Sequence, residues 1–300
     1  MLNPVNNLKT ARQNILMIGI IVFLIVAIPL PSPVYAVEDV LTLGVFPRQD
    51  AKTTTKAFTP LVTYLSKKLN RKVILKMSFS YSNFWQDVKE KRYDIVHYNQ
   101  YHYVKSHVKF GYDVFAMNEE QGKSKITSGI YSIKNSGITK PEDIKGKIVA
   151  FGGGPKSMVS YILPLHTLKK LNIASHEFKS IFAKNPPNAV LSVLFNTSDL
   201  AAVGTPVLLM PKITRSPDAS NLQELAVSEA IVHLPWAYSS ELPQELKRKI
   251  KEIYINLHTS EEGKQILKKA KVTNFLEAND ADYNRVREII FEVIGVNYQS

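Results

Sequence analysis

The sequence predicts a two-lobed α/β protein, each lobe a mainly parallel sheet flanked by helices, with C-terminal helices packed on the first lobe. Three observations lead there. Short β-branched runs alternate with segments of helical period in the first part of the chain, the alternation restarts near Ile126, and the C-terminal stretch is almost wholly helical in pattern. Such alternation calls for a parallel sheet with covering helices, and it places ligands beyond the carboxyl ends of the strands.

In order, Val40–Phe46 has strand composition and ends at Pro47. Ala57, Leu61, Leu65 and Leu69 then recur at helical spacing. Val73–Met77 reads as a second strand, Ser82 as the cap of a helix carrying Phe84, Trp85 and Val88, and Tyr93–His97 as a short third strand. The second block opens with Thr127–Ile133 and continues through the strand Lys147–Phe151 to a glycine turn and a helix from Ser157 to Leu171. A strand near Phe178–Ile181, a helix over Pro187–Phe195 and a strand at Leu200–Val203 follow. After His233–Trp236, the apolar positions Leu246, Ile250, Ile253 and Leu257, then Ile266 and Leu267, then Val286, Ile289, Ile290 and Val293 mark helices. Short crossovers are expected near residues 120–128 and 230–238. Lobe 1 then comprises residues 37–125 and 235–300, and lobe 2 residues 126–234.

Residues 1–36 read as a signal peptide. Lys9 and Arg12 precede the uncharged, mainly apolar stretch Ile15–Ile28, followed by prolines and by Val34 and Ala36 as small or permissive residues for cleavage. The apolar stretch is short for a bilayer-spanning helix, which needs roughly 20 residues. Cleavage before Val37 is expected, with an uncleaved tether as the alternative, and either way the folded part is exported, to the periplasm. The chain has no cysteine, which excludes disulfides, thiolate catalysis, thiolate metal sites and a lipoprotein anchor.

The net charge is +12, and only Lys9 and Arg12 of the basic residues fall in the leader. The folded part therefore carries the excess. A basic balance can mean nucleic acid, an anionic membrane surface or an anionic ligand; the basic residues are scattered singly or in pairs at helical positions, as on solvated helix faces, which argues against nucleic acid, and an anionic small molecule is the expected partner. A monomer is expected. No Gly-x-Ser-x-Gly elbow occurs, and the paired acids Glu119-Glu120 and Glu261-Glu262 adjoin polar or helix-start residues, so no catalytic residue is expected.

Four stretches stand where a ligand could sit. Phe151-Gly152-Gly153-Gly154-Pro155-Lys156-Ser157 ends a strand, permits unusual backbone conformations and starts a helix at Ser157, whose free first-turn N–H groups suit an anion. His97–Tyr103 puts Tyr98, Asn99, Gln100 and Tyr103 just after a buried strand, where aromatic and amide groups can wall a pocket. Metal binding by His97 and His102 is not expected, since spacing of five fits one helix face poorly. Arg48 follows the first strand and could hold a carboxylate or phosphoryl group bidentately. Asn185-Pro-Pro-Asn188 opens another helix, with backbone amides toward the cleft.

With those residues in place, the chain resembles the PhnD-like phosphate/phosphite/phosphonate-binding proteins of ABC importers, a branch of the type II periplasmic-binding fold. The likeness rests on Leu43–Pro47, Phe58–Leu65, Tyr93–Val96 with Tyr103-Val104, Ile144–Phe151 leading to Ser157, and Ser160–Pro164. The resemblance implies that Tyr103 contacts the ligand and that the helix opening at Lys156–Ser160 grips its oxygens. The chain departs from the family at Met158 and Val159, which stand for hydroxyl or small polar residues. It departs again near Pro187 and Thr205, where a histidine and an aspartate are replaced. It looks like a divergent branch, its site built from Arg48, Asn99, Gln100, the Gly152–Gly154 amides and Asn185.

The expected function is capture by closure: a ligand touching both lobes favours the closed state, which an ABC permease and ATPase or a membrane sensor then reads. An enzyme on the same fold is the alternative from another class. No cofactor is expected.

Overall fold

The computed structural model describes residues 40–78 and 80–299. The expected leader, residues 1–36, lies outside the described residues. Among these residues no helix is long and apolar enough to cross a membrane.

The first lobe is built on β1 (Leu41–Val45), α1 (Ala51–Leu69), β2 (Val73–Lys76), α2 (Tyr81–Lys89), β3 (Ile95–His97), α3 (Gln100–Phe110) and β4 (Tyr112–Glu119). Asp50 caps α1 by accepting from the Thr53 amide at 2.9 Å, and the helix buries Leu61 and Leu65 completely. Ser80, not Ser82, caps α2, accepting from the Asn83 amide at 3.1 Å. The reason is local: Tyr81 already has helical geometry, so the flanking extended residue is one step earlier.

The chain passes through β5 (Lys125–Ile126) into the second lobe: β6 (Ser128–Ile133), β7 (Ile148–Phe151), a π-helical turn over Met158–Ile162 running into α4 (Leu163–Lys170), β8 (Lys179–Phe182), α5 (Pro186–Leu194), β9 (Leu200–Gly204) and β10 (Leu222–Val227). It returns through β11 (Ile231–Val232), which pairs antiparallel with β5. The chain therefore crosses between the sheets as a two-stranded ribbon. β12 (Pro235–Ser239), α6 (Gln244–Ile255), α7 (Glu261–Ala270), β13 (Asn274–Glu277) and α8 (Asn284–Ile294) complete it.

The first sheet has the order β13-β4-β12-β3-β1-β2 and the second β10-β6-β9-β7-β8. Both are mixed, where the sequence pattern suggested mainly parallel sheets. Parallel pairing is confined to the βαβ units, β1 with β2 and β3, and β7 with β8 and β9. The strands next to the crossovers, β4, β12, β6 and β10, pair antiparallel because no helix separates them from the turn back.

α6 and α7 pack on the first lobe, as expected. α8 does not stay there: it packs on α3 of the first lobe and on α4 and β11 as well. A single apolar cluster accordingly runs from Phe84, Tyr103 and Val104 through Ile289 and Ile290 to Met158, Ile162 and Leu163.

Candidate functional site

The carboxyl ends of β1, β3 and β7 open onto one cavity of about 550 Å³ between the two sheets. That is within the ordinary range for small-molecule pockets. Arg48, Asn99, Gln100, Gly152, Gly153, Gly154, Ser157 and Asn185 all line it.

The second-lobe wall carries the glycine turn and an open helix start. β7 ends at Phe151 and the Gly152 amide donates to Ala202 at 3.0 Å, after which the chain turns into the π-helical segment. The glycines are there for close approach rather than for backbone freedom. None of the three has positive φ, but a Cβ on Gly152 would lie 2.7 Å from Pro186 Cα, and one on Gly153 2.7 Å from the Ser157 side chain. Ser157 makes no capping bond with its own hydroxyl, and its carbonyl accepts from Ile162 five residues on, at 3.0 Å. The amides of Met158, Val159 and Ser160 precede the first such bond and have no intrahelical acceptor, so the helix start presents donors and the positive end of its dipole. π-helical turns of this kind recur at functional sites.

Asn185 caps α5, its side-chain oxygen accepting from the Asn188 amide at 3.0 Å. Pro186 and Pro187 have no N–H, and the Asn188 donor is already taken. The expectation that this turn offers several backbone amides to the cleft is therefore narrowed to the Asn185 N–H, beside its side-chain NH₂.

On the first-lobe side, Asn99 caps α3 by accepting from the His102 amide at 2.9 Å, while its NH₂ reaches the Lys156 carbonyl of the other lobe at 3.5 Å. Gln100 donates to the Val232 carbonyl of β11 at 3.0 Å, and its Oε1 has no partner. Arg48 is not a free donor: it lies 3.2 Å from Glu120, which is 3.9 Å from His233. Burial alone would raise the Glu120 carboxyl, but the Arg48 charge, with His233 and Asn118, outweighs it and holds the carboxyl below its usual value.

The structure places Tyr98 and Tyr103 elsewhere. Both are fully buried in the core rather than on the cavity wall. Tyr98 packs edge-on to Phe84 and Tyr112, and Tyr103 donates to Asp280 at 2.6 Å. For Tyr103 the cause is helix geometry: residues of α3 face the cleft on one side and the sheet or α8 on the other, and Tyr103 lies on the inner side.

Sequence reasoning missed an aromatic wall. Phe46, Tyr81, Trp85 and His102 line the cavity, with Tyr81 stacked on His102 at 5.8 Å and Trp85 at 5.2 Å from it. Tyr81 and Trp85 are four apart at the start of α2, directly after β2, and that spacing was the available signal. His102 is buried with Nδ1 unpartnered. Burial first, then the Lys105 and Lys156 charges, push it down to about 3, so it is neutral. His97 is not at this wall, being stacked on Trp236 at 4.3 Å and bonded to the Pro235 carbonyl. Lys156 and Lys184 also line the cavity, neither paired with a carboxylate among the described residues, and no carboxylate lines it.

Comparison with known proteins gives the family. A family model described as "ABC transporter, phosphonate, periplasmic substrate-binding protein" matches residues 43–283. The phosphonates-binding periplasmic protein of Escherichia coli (strain K12) is 24% identical over 265 residues, covering 86% of this chain and 78% of that protein. Among solved structures, PhnD1 from Prochlorococcus marinus (MIT 9301), in complex with methylphosphonate, superposes with a TM-score of 0.76 at 19% identity, over 86% of this chain and 99% of that one. A binding-protein component of an ABC phosphonate transporter from Pseudomonas aeruginosa gives 0.74 at 19% identity, over 84% and 86%. The fold is the two-lobed type II periplasmic-binding fold, and the chain belongs to the periplasmic substrate-binding proteins of ABC phosphonate transporters.

Proposed function

We propose that this protein captures a phosphonate or a closely related oxyanion between its lobes in the periplasm, performs no chemistry on it, and hands it as a monomer to an ABC permease and its ATPase. The observation that carries the reading is the pairing, on one cavity, of the open helix start at Met158–Ser160 with Lys156 and Lys184, and no acidic side chain on the lining among the described residues. Amide donors, a helix dipole and uncompensated ammonium groups together favour an anion.

In this reading residues 1–36 are a cleaved signal peptide, residues 37–125 and 235–300 make lobe 1, and residues 126–234 make lobe 2. Arg48, Asn99, Gln100, the Gly152–Gly154 turn, Ser157 and Asn185 frame the ligand, Arg48 through its ordered pair with Glu120. The lobes close about the ribbon of β5 and β11, to which Gln100 is tied.

A thermal-shift series with methylphosphonate, phosphate, phosphite, an alkanesulfonate and acetate tests the proposal. A ligand that binds the native state at a hundredfold excess over its Kd stabilises by about 2.7 kcal/mol. Methylphosphonate or phosphite should raise Tm, and Lys156→Ala should reduce the shift. No response to any phosphorus oxyanion overturns the reading.

A further inference from the structure

Resting on that reading, we infer that the ligand is a phosphonate or phosphate monoester whose organic group is uncharged and aromatic or otherwise apolar, and that the cleft selects against ammonium-bearing phosphonates.

An ammonium group is best held by a counter-charge, and among the described residues the cleft lining offers none. Glu120 is the acid behind the wall, already engaged by Arg48 at 3.2 Å and close to His233 and Asn118. Lys156 and Lys184 face the same space. His102 is neutral and brings no negative charge. At Trp85 cation–π attraction does not replace a carboxylate, since the Lys105 ammonium already sits 4.6 Å from the ring centroid and a second cation on that ring would meet a like charge.

The same wall suits an uncharged ring or chain. Phe46 is buried, Trp85 half-buried, and Tyr81 stacks on His102. An apolar group laid against this wall loses water on the covered face and can make the offset or edge contacts these rings offer. A cavity of about 550 Å³ also has room for an organic group larger than methyl.

Calorimetric titration of the protein with methylphosphonate, phenylphosphonate and 2-aminoethylphosphonate tests this. Phenylphosphonate is expected to bind tighter than methylphosphonate and at least tenfold tighter than 2-aminoethylphosphonate. Trp85→Leu should remove most of the advantage of phenylphosphonate over methylphosphonate, read as the ratio of the two affinities in the same variant, and Trp85→Tyr, which keeps a ring, should retain most of it. Melting curves of both variants check their fold. Equal or tighter binding of 2-aminoethylphosphonate, or a preference untouched in Trp85→Leu, overturns the inference while leaving phosphonate capture standing. Binding of none of the three overturns both.

Discussion

The Tyr103 hydroxyl donates to Asp280 at 2.6 Å, and the same carboxylate oxygen accepts from Arg287, which also holds the Tyr298 carbonyl at 3.0 Å. Tyr103 thereby ties α3 to the segment leading into α8. Burial and then the Asp280 bond raise its phenol. Tyr103→Phe removes one buried hydrogen bond but leaves Asp280 paired with Arg287, so the expected loss is about 1–2 kcal/mol. In a chain of this size that lowers Tm by a few degrees, with the ligand Kd unchanged within twofold. A tyrosine that touched ligand would show the opposite split between melting and titration.

Arg48 and Glu120 form a partly buried pair, with side chains 25% and 14% exposed. Arg48→Ala leaves the carboxylate beside neutral His233 and an Asn118 amide at 3.5 Å. The expected cost is about 2–3 kcal/mol, below the 3–5 of a fully buried broken pair because of the residual exposure. Adding Glu120→Gln removes the orphaned charge and should recover at least half. Urea unfolding of the two single variants and the double one closes the cycle, and additive losses would mean the residues do not act as a pair.

Three of the four buried histidines shape the acid response above pH 4.5. Burial is the largest cause in each, pushing His97 and His102 down to about 3 and His233 to about 4. The unfolded chain takes up protons on these rings near pH 6.5 while the folded protein does not, so stability falls as pH drops from about 6.5 toward 4. Each ring contributes about 1.4 kcal/mol per pH unit in that window. Denaturant midpoints between pH 7 and 4.5 should fall accordingly. His97→Gln should reduce the slope by close to one proton.

The fold was legible where the period was strong. The βαβ blocks, and the rule that ligands sit beyond strand ends, placed eight of the ten proposed side chains and turns on one cavity. What the sequence hid was short or ambiguous. β13 spans four residues between two helices, too few to carry an alternation. β4 and β12 are buried on most positions, so nothing in their pattern fixes their direction. Around β3 the polar and aromatic residues look alike in composition, and only the start of α3 at Gln100 decides that His102 faces the cleft and Tyr103 the core. Lys156 and Lys184 read as ordinary surface lysines until the lobes bring them to one space.

The triple-glycine turn separates stability from binding residue by residue. A Cβ on Gly152 would meet Pro186 Cα at 2.7 Å and Val203 Cγ1 at 2.9 Å, backbone and core atoms that cannot swing away. Gly152→Ala is expected to cost about 1–3 kcal/mol, as for other overpacked sites. Gly153 would instead press on Ser157 Cβ and Oγ at 2.7 Å, displacing the residue that opens the π-helical turn. Gly153→Ala should weaken oxyanion binding severalfold. Gly154 has nothing within 4 Å and no positive φ, so Gly154→Ala should leave affinity intact and stability unchanged or up to about 1 kcal/mol higher through the less flexible unfolded chain. Melting and titration of the three variants side by side check the pattern, and equal affinity losses at Gly153 and Gly154 would rule out the Ser157 contact as the cause.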